Sequence, residues 1–108
     1  MEFQVRVTRS SEQQIESIYL WLKERNPEYA DQWFRGLMNL IATLQDKPRR
    51  CRLIKENHPT TEEIRQILYG KSRNQYRVIF TIREATVHIL YVRHSAQSSI
   101  TFNPLDFE

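Results

Sequence analysis

The sequence predicts a single small α+β domain, in which an antiparallel-dominated sheet carries a two-helix hairpin on one face. Three observations lead to this prediction. The chain has 108 residues, which is enough for one hydrophobic core. Its apolar residues alternate with a period of two over residues 3–8 and between 64 and 94, and recur at helical spacing between 11 and 46. The resulting order is β-α-α-β-β-β, and short connections favour packing of both helices on the same side of the sheet.

The β-rich segments 76–83 and 87–94 form the predicted centre of the sheet. Both are rich in β-branched and aromatic residues, and the polar connection between them has a length typical of a hairpin. Residues 3–8 and 64–69 supply two further strands. Both faces of the central segments carry apolar side chains, so we expect each of them to have a neighbouring strand on either side.

Side-chain alternation assigns the residues of these strands to faces. Arg77 lies on the face opposite Tyr76, and in the last strand Leu90 shares a face with His94 while Arg93 lies on the other. If the helices cover the Tyr76 face, Arg77 projects from the uncovered face.

Two helices precede the central strands. The first is predicted over residues 11–25, with Ser10 or Ser11 as its N-cap. Asn26-Pro27 ends it and begins the second, which closes near Asp46. Each helix carries one apolar stripe, and the sheet is the surface on which both stripes are expected to pack.

Positive charge is concentrated in the second half of the chain. Residues 47–94 hold eleven basic and four acidic side chains, a net charge of +7, whereas residues 1–46 have a net charge of −2. Residues 47–61 have no period and are predicted to be a long basic loop. Such a surface is suited to binding an anionic partner. The alternative is that it has no partner and is simply the solvated face of a mildly basic protein. The candidate nucleic-acid-binding residues are Arg49, Arg50, Arg52, Lys71 and Arg73.

The composition also excludes several classes of protein. Cys51 is the single cysteine, so an intrachain disulfide and a multi-cysteine metal site are impossible. Two glycines give no phosphate-binding loop, and no apolar run approaches the length of a membrane span. We therefore expect a cytoplasmic protein with no cofactor, no bound metal and no membrane partner.

One group of side chains could carry chemistry. Arginines from three strands can bind a phosphate bidentately, and a histidine can transfer a proton near neutral pH. Cleavage of RNA by its own 2′-hydroxyl needs little more than these groups. The alternative is that the arginines are paired with glutamates along the sheet. The candidate catalytic residues are Arg65, Arg77, Arg93 and His94.

The segments 64–68 (Ile-Arg-Gln-Ile-Leu), 76–80 (Tyr-Arg-Val-Ile-Phe) and 89–94 (Ile-Leu-Tyr-Val-Arg-His), in this order, resemble the RelE/ParE superfamily of toxins. The resemblance covers most of the chain. It implies a toxin domain over residues 1–96, followed by a C-terminal tail over 97–108 to which we assign no structure.

The resemblance implies a bacterial toxin of a type II toxin–antitoxin pair, neutralised by a partly disordered antitoxin protein. RelE-like members cut ribosome-bound messenger RNA, whereas ParE-like members poison DNA gyrase without a nuclease site. By motif, Arg77 occupies the place of the arginine that RelE-like enzymes use on the scissile phosphate, and Arg65 one of their basic positions. Active enzymes commonly place arginine after the histidine, where this chain has Ser95. Our leading hypothesis is metal-independent endoribonuclease activity; the alternatives are gyrase inhibition and an inactive relative that binds only its antitoxin.

Overall fold

The computed structural model describes residues 2–97 and 100–103. The five strands found there form one sheet in the order β1-β5-β4-β3-β2. β1 runs parallel to β5, and the other neighbouring strands are antiparallel. This architecture confirms the predicted α+β class and the central position of the last two strands. The elements are β1 (Gln4–Val7), α1 (Arg9–Arg25), α2 (Pro27–Ala42), β2 (Arg52–Leu53), β3 (Ile64–Tyr69), β4 (Tyr76–Arg83) and β5 (Thr86–His94).

Both helices pack on one face of the sheet, here called the helix face, which carries Tyr76 and Phe80 of β4. Trp33 and Leu37 of α2 are buried against these residues, and the rings of Trp33 and Tyr76 meet edge to face with centroids 5.2 Å apart. The predicted packing of the α2 stripe on the sheet is therefore confirmed. The opposite face, which carries Arg77 and Ile79, is called the open face.

The first helix begins earlier than the sequence suggested. Its N-cap is Thr8, whose Oγ1 accepts the backbone N–H of Ser11 at 3.3 Å. The prediction of Ser10 or Ser11 as N-cap is wrong, because the hydroxyl of Ser11 is fully buried and lies 2.9 Å from the carbonyl oxygen of Ile89 in β5. Ser11 thus joins the first turn of α1 to the sheet.

The second helix begins as predicted. Asn26 is its N-cap, with Oδ1 accepting the N–H of Tyr29 at 3.1 Å, and Pro27 takes the first helical position. The α-helix ends at Ala42, and a single 3₁₀ turn over Thr43–Gln45 continues to the predicted end.

A β-bulge changes the faces assigned to β5. Ile79 pairs with Tyr91, but the next residue of β4, Phe80, pairs with Ile89, so Leu90 is the extra residue. Leu90 consequently packs on the open face with Ile79 and Tyr91, whereas Ile89 joins the core on the helix face. The prediction that Leu90 shares a face with His94 is wrong, because strict alternation does not survive a bulge.

The region predicted as a long loop contains a fifth strand. After a 3₁₀ turn over Pro48–Arg50, β2 pairs with β3 through Arg52 and Gln66. Two residues are too few to show a period in sequence, so this edge strand could not be recognised. The remaining segment, residues 54–63, crosses the open face.

Part of the tail covers the open face of the sheet. Ile100 is buried there, and the ring of Phe102 lies between Tyr91 and His58, with centroid distances of 5.6 and 5.7 Å. The N–H of Asn103 donates to the hydroxyl of Tyr91 at 3.2 Å. The tail had no predicted structure; within 100–103 it is packed on the sheet.

Candidate interaction site on the open face

The candidate site is centred on the guanidinium of Arg77, on the open face of β4, the middle strand of the sheet. Both terminal nitrogens donate to the carboxylate of Glu56, at 2.6 and 3.0 Å, and Nε donates to Oε1 of Gln66 at 2.8 Å. The side chains of Arg77 and Glu56 are 17% and 20% exposed. The hydrogen bonds from Arg77 hold the pKa of Glu56 below its ordinary value, against the opposing effect of burial. Arg77 is therefore engaged by a ligand from its own chain.

Other cations lie near Arg77 without a partner among the described residues. Arg52 shares the open face because it pairs with Gln66, and Lys55 follows two residues after β2. Both line, together with Arg77 and Glu56, a cavity of about 470 Å³. Arg93 is the direct register partner of Arg77 on β5. Like charges opposite one another across a sheet are destabilising, so this face favours negative groups.

Arg65 lies on the other side of the sheet. It pairs with Phe80, a helix-face residue, and its Nη1 donates to the carbonyl oxygens of Cys51 and Arg49 at 2.6 and 3.3 Å. Its Nε lies 3.4 Å from the carboxylate of Glu63. Arg65 would join Arg77 only if the two strands paired in the same phase. The observed register instead places Gln66 and Leu68 of β3 on the Arg77 face, so the two arginines are separated.

His94 also lies on the helix face. Its ring meets that of Tyr76 edge to face at 5.0 Å, and its Nδ1 accepts the N–H of Ala96 at 3.0 Å. Arg93, the preceding residue, points to the open face with Arg77. The four candidate catalytic residues are thus divided between the two faces of the sheet, Arg77 and Arg93 on one and Arg65 and His94 on the other.

The five candidate nucleic-acid-binding residues have different surroundings. Arg49 pairs with Glu63 at 3.0 Å. Arg50 donates to the carbonyl oxygens of Asp46 and Lys47, at 2.8 and 3.2 Å, just after the 3₁₀ turn that follows α2. Arg52 lies beside Arg77. Lys71 and Arg73 occupy the exposed turn between β3 and β4. Of the five, Arg52 alone lines the cavity around Arg77.

Sequence reasoning missed Glu56 and Gln66, which complete the coordination of Arg77. Glu56 lies in a segment without a period, and no local signal indicates that it crosses the sheet to reach Arg77. The alternative that sheet arginines are paired with glutamates describes the structure well, since Arg83 also pairs with Glu62, at 2.5 Å. Arg93 departs from this alternative, since it has no acidic partner in the described part of the chain.

A second concave surface lies between the helices and β1. This groove of about 900 Å³ has an apolar floor that includes Ile15, Phe34 and Met38. Asp31 stands on its rim and accepts the hydroxyl of Tyr19 at 2.6 Å; this hydrogen bond raises the pKa of Tyr19. The groove shares no lining residue with the cavity around Arg77.

Over residues 2–97 and 100–103, no three His, Cys, Asp or Glu side chains are grouped so that they could hold a metal ion. Neither helix within these ranges is long and apolar enough to span a membrane.

Comparisons with known proteins agree with this architecture. Residues 5–99 match the family model of the ParE toxin of the type II toxin–antitoxin system parDE. A similar solved structure is a chain of the chromosomal ParDE toxin–antitoxin system from P. aeruginosa, with 16% sequence identity and a TM-score of 0.69; the match covers 86% of this chain and 96% of that one. No curated protein sequence matches significantly. Since the family model spans most of the chain, the protein belongs to the ParE family of type II toxins.

Proposed function

We propose that this toxin stops growth by binding DNA gyrase, and not by cutting messenger RNA. The chain is the toxin of a ParDE-type system and has a cognate antitoxin as a partner. The observation that supports gyrase binding over RNA cleavage is the separation of the predicted catalytic residues. Arg77 and His94 lie on opposite faces of β4 and β5, so one phosphate cannot contact both.

RNA cleavage requires an arrangement of side chains that the predicted catalytic residues do not have. A proton acceptor, a proton donor and a cation must all lie within hydrogen-bond reach of the same phosphate. Arg65 donates to backbone carbonyls and Arg77 to a carboxylate, so two of the proposed cations already have their donors occupied. ParE-like inhibition of gyrase requires no such assembly, because the toxin acts by binding.

Endoribonuclease activity is the second candidate function. Release of Glu56 would free Arg77 beside Arg52 and Lys55, and these cations could bind the phosphates of RNA. His94 lies on the helix face and cannot reach a phosphate bound by these cations. This candidate function therefore needs a different side chain as its proton acceptor.

The antitoxin provides a separate proposal. We propose that it lays an apolar helical stripe into the groove between the helices and β1, because that groove is the larger of the two cavities and has an apolar floor. Phe34, which is 40% exposed, lies on this floor. Phe34→Ala should weaken antitoxin binding about tenfold or more. Leu20→Ala removes a similarly exposed apolar side chain outside the groove and should have little effect. Equal losses for the two variants would contradict this assignment.

The two modes of growth inhibition are separated by mapping messenger-RNA ends in cells after the toxin is induced. Gyrase inhibition predicts growth arrest with no new RNA ends within codons. His94→Gln should remain toxic, because inhibition by binding needs no proton-transfer group. New ends in ribosome-bound messages would contradict the proposal and establish the nuclease, whether or not His94→Gln removes them.

A further inference from the structure

We propose that the open face around Arg77 binds an acidic segment of the protein target, and that Glu56 occupies this position until the target arrives. The inference rests on the proposed function, because it concerns how the toxin holds a protein target. The ligand of this surface is a segment that carries carboxylates, and Glu56, in segment 54–63, is its internal competitor.

The contact of Arg77 with Glu56 defines the chemistry of the ligand. The planar guanidinium meets both carboxylate oxygens, at 2.6 and 3.0 Å, while Gln66 fixes its orientation through Nε at 2.8 Å. This bidentate geometry is the one that arginine uses for carboxylates at protein interfaces. A glutamate or aspartate of another chain can form the same pair of hydrogen bonds.

The surroundings of this pair are suited to more than one carboxylate. Arg52 and Lys55 line the same cavity and have no ion-pair partner within the described ranges. Glu56 neutralises one of these three cations, so the cavity keeps a net positive charge. Acidic side chains of a partner would form ion pairs with Arg52 and Lys55, which Glu56 leaves unpaired.

An exposed apolar side chain adjoins the cations. Leu68 is the register partner of Arg77 on β3 and is 46% exposed. An apolar anchor beside buried or half-buried charges is typical of protein–protein interfaces. A nucleic-acid backbone would make no use of Leu68, and this favours a protein partner over DNA or RNA.

The loop that carries Glu56 can release it and stay attached. Glu62, near the end of segment 54–63, pairs with Arg83, and its pKa is lowered by that contact. Ile54 packs in the open-face cluster, and the ring of His58 lies against that of Phe102 at a tilt of 60°. Because these contacts do not involve Glu56, its departure from Arg77 leaves the segment held on both sides.

The antitoxin is assigned to the other surface. The groove between the helices and β1 is larger and shares no lining residue with the Arg77 cavity. Each partner therefore has its own surface: the acidic target binds around Arg77, and the antitoxin binds in the groove between the helices and β1.

The test compares Glu56→Gln with Glu62→Gln. Each variant removes one carboxylate from the same segment and frees one arginine, so the change in net charge is identical. The probe is a labelled glutamate-rich peptide containing leucine, titrated by fluorescence anisotropy. Glu56→Gln should bind it about three- to tenfold more tightly than the unchanged toxin, because the internal competitor is gone. Glu62→Gln should change binding by less than about twofold, and Arg52→Ala should weaken it about threefold or more.

Several results would overturn the inference. Equal effects of Glu56→Gln and Glu62→Gln would show that only net charge matters. A selective gain for a DNA or RNA oligonucleotide, with none for the peptide, would assign the surface to nucleic acid. If Glu56→Gln unfolds, Glu56→Asp, which keeps the charge but shortens the side chain, should still bind the peptide more tightly than the unchanged toxin; if it does not, Glu56 serves only to anchor its segment.

A gyrase assay separates this inference from the proposed function. If the unchanged toxin inhibits gyrase and Glu56→Gln inhibits at lower concentration, both stand. If the toxin inhibits gyrase but Glu56→Gln and Arg52→Ala match it in potency, the inference fails and the proposed function survives. If the toxin does not inhibit gyrase, the proposed function fails, and a selective peptide gain by Glu56→Gln would still support an acidic protein partner.

Discussion

Gly36, in the middle of α2, gives the sharpest prediction about stability. A Cβ added at this position would overlap the hydroxyl oxygen of Tyr69 and lie 3.1 Å from the ring carbon that bears it. That hydroxyl donates to the carbonyl oxygen of Trp33 at 2.8 Å. Gly36→Ala therefore has two opposing effects on stability: alanine favours the helix, but its methyl group clashes with Tyr69.

The two effects differ in size. Alanine in place of glycine inside a helix contributes about 1 kcal/mol in favour of folding. Displacing the Tyr69 hydroxyl from Trp33 costs about 1 kcal/mol, and overpacking at a well-packed contact costs about 1–3 kcal/mol. The net expectation is a loss of about 1–3 kcal/mol. For a domain of this size, that lowers the melting temperature by roughly 4–13 °C.

Urea and thermal unfolding measure this loss, and Tyr69→Phe serves as the second variant of a double-mutant cycle. Without the hydroxyl, the closest contact of the new methyl group disappears, so Gly36→Ala should cost at least about 1 kcal/mol less when it is combined with Tyr69→Phe. If Gly36→Ala stabilises the unchanged toxin by about 1 kcal/mol, propensity outweighs packing and the account of this contact is wrong.

Two further predictions concern stability. Ser11→Ala removes the buried hydroxyl that joins α1 to Ile89 and should cost about 1–2 kcal/mol in urea unfolding, whereas Ser17→Ala, at an exposed site on the same helix, should stay within about 0.5 kcal/mol. Glu62 has a folded-state pKa below its ordinary 4.5, so its contribution is present above that pH and is lost as the pH falls below it. Unfolding measured between about pH 6 and 3 should therefore show a shallower decrease for Glu62→Gln, by about 1 kcal/mol; parallel curves would mean that the pair with Arg83 contributes nothing.

Local chemistry made the helices and central strands predictable. Asn26 and Pro27 determine the start of α2 through interactions within one turn, and the alternation of β4 gives its two faces correctly. Helix starts and strand faces are determined by residues that are close together in sequence, so the sequence alone is enough to predict them.

The site was harder to predict because it depends on how strands pair. The side of the sheet on which Arg65 lies is fixed by its register with Phe80, and the bulge at Leu90 lies within an unbroken apolar run that gives no sign of it. The contact between Glu56 and Arg77 joins residues 21 positions apart, across a segment without a period. No rule acting within a single element could place that carboxylate.

The measurement that tests the central proposal most directly is the supercoiling of relaxed plasmid by purified DNA gyrase in the presence of the toxin. We expect the toxin to inhibit supercoiling in a concentration-dependent manner, added antitoxin to restore it, and His94→Gln to inhibit as well as the unchanged toxin. Full supercoiling activity at toxin concentrations that arrest growth in cells would contradict gyrase as the target.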